Sequence, residues 1–154
     1  MKPKVCLIGD LIIDKFVNLK SLRLSPEAPV PVVKRSETFE TLGGAGNVAL
    51  SLINLGLEFT YYFAFNNSIQ TDNDKIISNL LNNLNINKKK IFTDIKDINP
   101  IKIRYYVDDR QIMREDKEFN NLKKISIITE SIIDEIVINN NIVIVSDYQK
   151  GLFN

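Results

Sequence analysis

The feature that most constrains the fold is an alternation of short apolar runs with segments of helical periodicity. Most of the apolar runs are too short to be helices, and they are typical of strands buried on both faces of a sheet. The helical segments repeat apolar residues every three or four positions, so each has one face to bury. This order predicts an α/β fold with a largely parallel sheet. The predicted strands are 4–9, 59–65, 88–93 and 141–145, and the predicted helices are about 45–55, 72–84 and 129–138.

Two further segments alternate polar and apolar residues, as strands with one solvated face do. The first, about 16–40, has three prolines between residues 26 and 31. Proline gives no N–H to a strand ladder, so a turn is expected there. The second, 101–116, alternates on both sides of Asp108-Asp109, which predicts a hairpin. We expect residues 25–40 and 101–116 to add antiparallel strands to the fold.

Composition excludes several classes of protein. The chain has 154 residues and a net charge of +1, which gives no electrostatic reason to expect a nucleic acid or a membrane surface as partner. No apolar run approaches the ~20 residues that span a bilayer, and no secretory signal is recognisable, so a cytoplasmic location is expected. The absence of histidine excludes His-based triads and His metal ligands. The single cysteine, Cys6, lies in an apolar run and is expected to be buried and inert.

Candidate ligand-binding groups lie at the end of the first strand and at the start of the first helix. Asp10 and Asp14 offer carboxylates to sugar hydroxyls, with a turn and a helix cap as the alternative. Gly43-Gly44-Ala45-Gly46-Asn47 lets a ligand approach the backbone and unpaired helix N–H groups, with a tight packing loop as the alternative. Ligands of open α/β sheets bind outside the carboxyl ends of the strands, so we expect these groups to share one crevice.

Two arginines and the loop after the last strand add candidate charged groups. Arg104 and Arg114 fall on strands expected to pair, where two guanidinium groups suit a phosphate; ordinary exposed strand arginines are the alternative. In the loop, Asp147 suits a hydroxyl or a metal-bound water and Lys150 suits a phosphate. A plain strand-to-helix turn is the alternative for this loop.

The last predicted strand ends the pattern in an unusual way. Ile142–Val145 is apolar enough to be covered on both faces, and a parallel neighbour needs a connection of a dozen or more residues. Only eight residues follow Ser146. We therefore expect the chain to stop partway through a larger fold.

The motifs, taken together, resemble those of the heptose 7-phosphate kinases, which are ribokinase-like (PfkB-type) carbohydrate kinases. The resemblance extends from about Lys4 to Gly151, and the Ser-Pro-Glu-Ala-Pro run is its most specific part. The matching segments, in order, are Gly9-Asp10 with Asp14, the run 23–32, Gly43–Ala49, Ile103-Arg104, Met113-Arg114 and Ser146–Gly151.

The resemblance implies a ribokinase-like three-layer α/β sandwich with a mostly parallel sheet. A small β lid would come from about 16–40 and 101–116, and such lids often pair in a homodimer. The implied reaction is ATP- and Mg²⁺-dependent phosphorylation of the anomeric hydroxyl of a heptose 7-phosphate, a step toward ADP-heptose and lipopolysaccharide. The implied substrate-binding positions are Asp14, Gly43, Gly44, Asn47 and Arg104, and the implied phosphate or transfer-site positions are Arg114, Asp147 and Lys150.

One motif of this family is absent. In the family, a Gly-Ala-Gly-Asp sequence forms the anion hole and supplies the general base, and the adenine pocket lies nearby. We therefore expect residues 1–154 to be the N-terminal, sugar-binding part of one kinase domain, with no catalytic base, no metal ligands and most of the nucleotide site missing. Such a chain would be inactive alone and would need a separately encoded C-terminal half. The alternatives are a non-catalytic fragment that binds sugar phosphate or dimerises, and a PfkB-type kinase for another sugar.

Overall fold

The computed structural model describes residues 2–66, 72–84, 87–93, 98–118 and 127–153. Within these ranges, none of the helices has the length and apolar content needed to cross a membrane. The elements in chain order are β1 (Val5–Gly9), β2 (Leu11–Leu24), β3 (Pro31–Gly44), α1 (Ala45–Asn54), β4 (Phe59–Asn66), α2 (Asp72–Asn82), β5 (Asn87–Thr93), β6 (Ile101–Val107), β7 (Arg110–Lys117), α3 (Glu130–Asn139) and β8 (Ile142–Ser146).

The main sheet contains four parallel strands in the order β5-β4-β1-β8. β1 lies inside it, with Val5 opposite Phe59 of β4 and Ile142 of β8. The strands are joined by helices, as parallel pairing requires. The predicted α/β fold with a mostly parallel sheet is confirmed.

Helices cover both faces of the main sheet, which makes three layers. On one face, Leu7 and Phe63 of the sheet pack in a cluster with Ala49 of α1 and Ile77 of α2. On the other face, the cluster formed around Cys6 includes Ile136 of α3. Side chains of β1 and β4 enter these two clusters alternately, because successive residues of a strand point to opposite faces. The predicted three-layer sandwich is confirmed.

The second sheet, called here the lid sheet, has the strand order β3-β2-β6-β7. β2 and β3 form one long antiparallel hairpin, paired from Leu11–Gly44 to Leu24–Pro31, so the strands run beyond the expected 16–40. β6 and β7 form the predicted hairpin, with Asp108 and Asp109 at φ angles of 46° and 64°. Successive left-handed residues are what a two-residue turn needs to match the strand twist.

The lid sheet is not wholly antiparallel, so that expectation is wrong for one pair of strands. β6 pairs with β2 in parallel, with Ile13 opposite Ile101 and Leu19 opposite Val107. Between them the chain passes through α1, β4, α2 and β5 of the main body. A connection of that length returns the chain in the same direction, which a tight hairpin cannot do.

Asn99 and Pro100 fasten the lid sheet to the main sheet. The buried Asn99 amide donates to the carbonyl oxygens of Leu11 (3.3 Å) and Ala64 (3.2 Å). The N–H of Ile13 donates to the carbonyl of Pro100 at 2.9 Å. These bonds join the start of β2, the end of β4 and the start of β6 at one point.

The two edges of the main sheet carry opposite kinds of side chain. β5 presents Lys88, Lys89 and Lys90 in succession. β8 carries no charge, and Val143 and Val145 on it are 40% and 59% exposed. Lysines protect a sheet edge from pairing with another strand, whereas an uncharged apolar edge invites it.

Candidate functional site

Asp14 and Arg104 form an ion pair on one face of the lid sheet. Register places Phe16 of β2 opposite Arg104 of β6, so Asp14 is the diagonal neighbour of the arginine. Arg104 Nη1 donates to Asp14 Oδ1 at 2.5 Å, and the two side chains are 23% and 21% exposed. Two residues predicted separately as sugar ligands therefore act as one partly buried unit.

Gly43 makes room for this ion pair. A Cβ atom at Gly43 would lie 2.1 Å from Asp14 Oδ2, closer than any real contact. Gly44 has a φ of +57°, and a Cβ there would lie 2.6 Å from the carbonyl oxygen of Asp10. Glycine is therefore required at position 44 by the left-handed backbone and the nearby Asp10 carbonyl, whereas a side chain at position 43 would displace the Asp14 carboxylate.

An aromatic stack supports the Arg104 guanidinium. The Phe16 ring lies 4.7 Å from the Phe39 ring, with the two planes 9° apart, and 6.2 Å from the Tyr106 ring. Arg104 Cζ lies 5.4 Å from the centroid of Phe16. The stack restricts the arginine on one side while Asp14 holds its end. Sequence reasoning missed this stack, although Phe16 alternates in step with Asp14.

The same face carries a surplus of positive charge. Arg114 pairs with Arg104 across β6 and β7, as predicted, and its Nε donates to Asp116 Oδ1 at 2.8 Å. Lys102 lies opposite both Asp14 and Asp116 and makes no ion pair with any described residue. Among the described residues of this face, three cations thus lie beside two carboxylates. Lys102 was not predicted as a site residue; its place in the alternation beside Arg104 was the available signal.

Asp10 joins the end of β1 to the start of α1 and the end of β8. Its N–H donates to the carbonyl of Ser146 at 3.1 Å, and its carbonyl accepts the N–H of Ala45 at 2.9 Å. Gly44 caps α1 without a side-chain bond, and the first turn of the helix contains no acidic residue. Asn47 lies exposed in the first turn. The structure therefore collects the strand ends and the helix start at one edge, as predicted.

The Asp10 carboxylate is directed inward rather than toward solvent. Its Oδ2 accepts the N–H groups of Tyr148 (2.8 Å) and Lys150 (3.2 Å), and its Oδ1 accepts that of Leu152 (3.4 Å). Asp10 is 5% exposed. Burial raises the pKa of Asp10, the three N–H groups oppose that rise, and the charge of Asp147 adds to it. Asp10 therefore binds the chain itself and is closed to a sugar.

The other charged residues of this loop have partners too. Asp147 is exposed, and its Oδ1 accepts the N–H of Gln149 at 2.7 Å. Lys150 Nζ lies 2.7 Å from Glu118 Oε2, just beyond the end of β7. The loop is thereby joined to the lid sheet beside Asp116. The predicted phosphate role of Lys150 stays a prediction, and a phosphate would compete there with Glu118.

Comparison with known proteins gives a consistent family assignment. The chain is 37% identical to the bifunctional protein HldE of Helicobacter pylori (strain P12) over 97% of this chain and 32% of that protein. It is 33% identical to the HldE protein of Campylobacter curvus (strain 525.92) over 98% of this chain and 32% of that protein. No family model matches the sequence.

Solved structures show the same fold at low sequence identity. The microbiome-derived acarbose kinase Mak1 matches 94% of this chain and 46% of its own with a TM-score of 0.66 at 16% identity. Arabidopsis thaliana ribokinase, solved with ribose and ATP, matches 94% of this chain and 45% of its own with a TM-score of 0.57 at 18% identity.

The fold is thus that of the ribokinase-like carbohydrate kinases. At the sequence level the chain is similar to the HldE proteins. It spans about a third of the length of those relatives and slightly under half of the solved kinase chains. The resemblance predicted from the motifs is confirmed by these similarities.

Proposed function

We propose that the chain is the sugar-binding part of a kinase that phosphorylates the anomeric hydroxyl of a heptose 7-phosphate, for ADP-heptose and lipopolysaccharide synthesis in the cytoplasm. The observation that carries the proposal is the Asp14–Arg104 pair, which lies beside Gly43 of β3. Supporting it are the family itself and the identity to HldE proteins.

The chemistry of the pair suits a polyhydroxylated ligand. The second carboxylate oxygen of Asp14 accepts a sugar hydroxyl, while the remaining N–H groups of Arg104 donate to a neighbouring oxygen. Gly43 and Gly44 keep the backbone bare beside them, and Asn47 offers both a donor and an acceptor. Lys102, the surplus cation, and Arg114 lie where their positive charges best compensate the negative charge of a substrate phosphate.

ATP and Mg²⁺ are the co-substrate and cation that the family implies. Within the described ranges, no three acidic or thiol side chains are grouped to hold a cation. Asp147, the residue suited to a metal-bound water, already accepts the N–H of Gln149. The described residues therefore do not fit a magnesium site. We propose that a further half of the kinase domain supplies the cation site, the nucleotide site and the general base, and that this chain alone is inactive.

The binding proposal is tested by calorimetry with heptose 7-phosphate. We expect the wild-type chain to bind it, and Asp14→Asn and Arg104→Gln each to weaken binding by about tenfold or more, as loss of a charge-assisted hydrogen bond does. Arg110→Gln, at the exposed start of β7, is the matched control and should bind normally. Equal affinity of Asp14→Asn and wild type would place the sugar elsewhere. Preference for fructose 6-phosphate would favour a kinase for another sugar.

The proposed second half is expected to dock on the β8 edge, because that edge is uncharged and its valines are exposed. The test mixes this chain with the part of the H. pylori HldE protein that the chain does not match, and follows ATP consumption with heptose 7-phosphate. We expect turnover only in the mixture, and loss of it with Val145→Lys. Leu24→Lys on the lid sheet is the control and should leave turnover intact. Turnover by the chain alone would contradict the proposal.

A second candidate function is dimerisation through the lid sheet without catalysis. The observation that favours it is the exposed apolar tip of the β2–β3 hairpin, where Leu22, Leu24 and Val30 are 63%, 73% and 51% exposed. Sedimentation should then show a homodimer that Leu24→Lys dissociates and Val145→Lys does not. A monomer at all concentrations, together with no heat on addition of heptose 7-phosphate, would remove this candidate.

A further inference from the structure

Asp10 has a function in this site that its position beyond β1 does not reveal. Three N–H groups at alternate positions, Tyr148, Lys150 and Leu152, converge on its carboxylate. The convergence needs an unusual backbone, because Gln149 and Gly151 between them have φ angles of 56° and 92°. Backbone N–H groups gathered in this way form a concavity for an anion. Here the anion is a side chain of the protein itself.

Gln149 shows that the loop is held rather than relaxed. A left-handed φ is unfavourable for a residue with a side chain, and such a conformation persists only where the surroundings impose it. The imposing bonds come from Asp10 on one side and from the Asp147 carboxylate, which accepts the Gln149 N–H, on the other. Asp147 is exposed, whereas Asp10 is buried, so the buried carboxylate is the stronger constraint.

Asp10 also fixes the position of the loop. The Asp10 backbone holds Ala45 at the start of α1 and Ser146 at the end of β8. Its side chain holds the segment that ends with Lys150 reaching Glu118 beside the lid sheet. Asp10 thus connects the start of α1 with the loop that carries Asp147 and Lys150.

We propose that Asp10 is a positioning residue, an internal anion that holds the Tyr148–Leu152 loop in its left-handed conformation and so sets Asp147 and Lys150 beside the start of α1. The importance of those two side chains for ligand binding rests on the proposed sugar kinase function. The conformational role of Asp10 does not.

The experiment is amide hydrogen exchange, followed by NMR, on the wild-type chain and on Asp10→Asn. Asparagine keeps the size of the side chain but removes its charge and turns one acceptor into a donor. We expect exchange at Tyr148, Lys150 and Leu152 to speed up by about tenfold to hundredfold, with β4 unchanged. Unchanged exchange in a folded Asp10→Asn protein would overturn the proposal.

A second variant separates positioning from general stability. Gln149→Gly removes the penalty of the left-handed backbone, so Asp10→Asn/Gln149→Gly should recover part of the lost protection. A purely structural role of Asp10 predicts no such rescue, and its absence would count against the proposal. If Asp10→Asn does not fold, hydrogen-bond scalar couplings from the three amide nitrogens to the Asp10 carboxyl carbon decide the matter in the wild-type chain, and the lack of all three overturns it.

Binding of heptose 7-phosphate supplies the functional readout. We expect Asp10→Asn to lower affinity and Gln149→Gly to restore part of it in the double variant. If the wild-type chain binds no heptose 7-phosphate, the sugar kinase proposal fails while the exchange data still judge Asp10. If binding is unchanged in Asp10→Asn although exchange is faster, the loop is positioned by Asp10 but does not touch the ligand, and the functional half of the proposal is overturned.

Discussion

Gly43 and Asp14 occupy adjoining space so closely that the carboxylate fills the place of a side chain at position 43. A methyl group there would lie 2.1 Å from Asp14 Oδ2. Asp14 is bound to Arg104. The ion pair and the close approach of the Asp14 side chain to β3 therefore both depend on Gly43 having no side chain. Gly43 on one side and Arg104 on the other thus fix the position of the Asp14 carboxylate.

Gly43→Ala should therefore displace Asp14 and weaken binding of heptose 7-phosphate by about tenfold, the usual effect of losing one charge-assisted hydrogen bond. Calorimetry measures this loss. Gly56→Ala is the matched control, because a Cβ there meets nothing within 4 Å although its φ is +71°. That control should lower stability without changing affinity. Full affinity in Gly43→Ala would show that the placement of Asp14 does not matter.

Tyr61→Phe should stabilise the fold. The Tyr61 hydroxyl is buried without a hydrogen-bond partner in the described structure, and burial raises its pKa. Phenylalanine keeps the ring packed against Phe63, 5.2 Å away, and removes the unsatisfied group. We expect the free energy of unfolding in urea to rise by about 1 kcal/mol.

Tyr62→Phe is the comparison for that variant. The Tyr62 hydroxyl donates to Glu135 Oε1 at 3.1 Å, which holds α3 to β4. Its removal should lower the free energy of unfolding, by about 1 kcal/mol. A loss of stability in Tyr61→Phe as large as that in Tyr62→Phe would mean that the Tyr61 hydroxyl has a partner.

The Cys6 thiol should be unreactive in the folded chain. Burial raises its pKa from 9.0 to about 11, and the thiolate is the reactive form. Because the folded state keeps the proton more firmly than the unfolded state, stability should be full below pH 9 and should decline as the pH rises toward 11. Labelling with a disulfide reagent at pH 8, with and without urea, measures the first effect. Rapid labelling of the native chain would contradict it.

Asn99→Ala should loosen the lid sheet. The amide bridges Leu11 of the lid sheet and Ala64 of the main sheet, and its removal leaves two buried carbonyl groups with fewer donors. We expect a loss of about 1–3 kcal/mol in urea unfolding. The exposed Asn54, at the end of α1, provides Asn54→Ala as the control, with little change. Equal stability of the two variants would show that Asn99 does not join the sheets.

Local patterns predicted the parts of the fold that depend on neighbours in the sequence. The β6–β7 hairpin follows from alternation around Asp108-Asp109, and α1 begins at the glycine cluster as expected. The parallel pairing of β2 with β6 was not predictable, because it is set by how the intervening main body returns the chain. Sequence periodicity does not show whether two strands pair in parallel or antiparallel.

The candidate site shows the same difference between local features, which the sequence predicts, and long-range contacts, which it does not. Asp14 and Arg104 were each identified, but their ion pair joins residues 90 positions apart and depends on the lid register. The role of Asp10 was hidden for another reason. Its partners are backbone N–H groups up to 142 positions away, and any residue except proline has one. Side-chain identity alone therefore gave no sign of which groups the carboxylate would bind.

The unequal edges of the main sheet restrict how copies of this chain could associate. A β8 edge meeting a β5 edge would generate an open, head-to-tail array, the geometry of a fibre. The lysines of β5 oppose that contact. Among contacts between main-sheet edges, this leaves β8 against β8, related by a two-fold axis, which closes after two copies. Three neighbouring lysines thus limit mispairing to a finite dimer, and a substitution that neutralised them would remove the barrier to polymerisation.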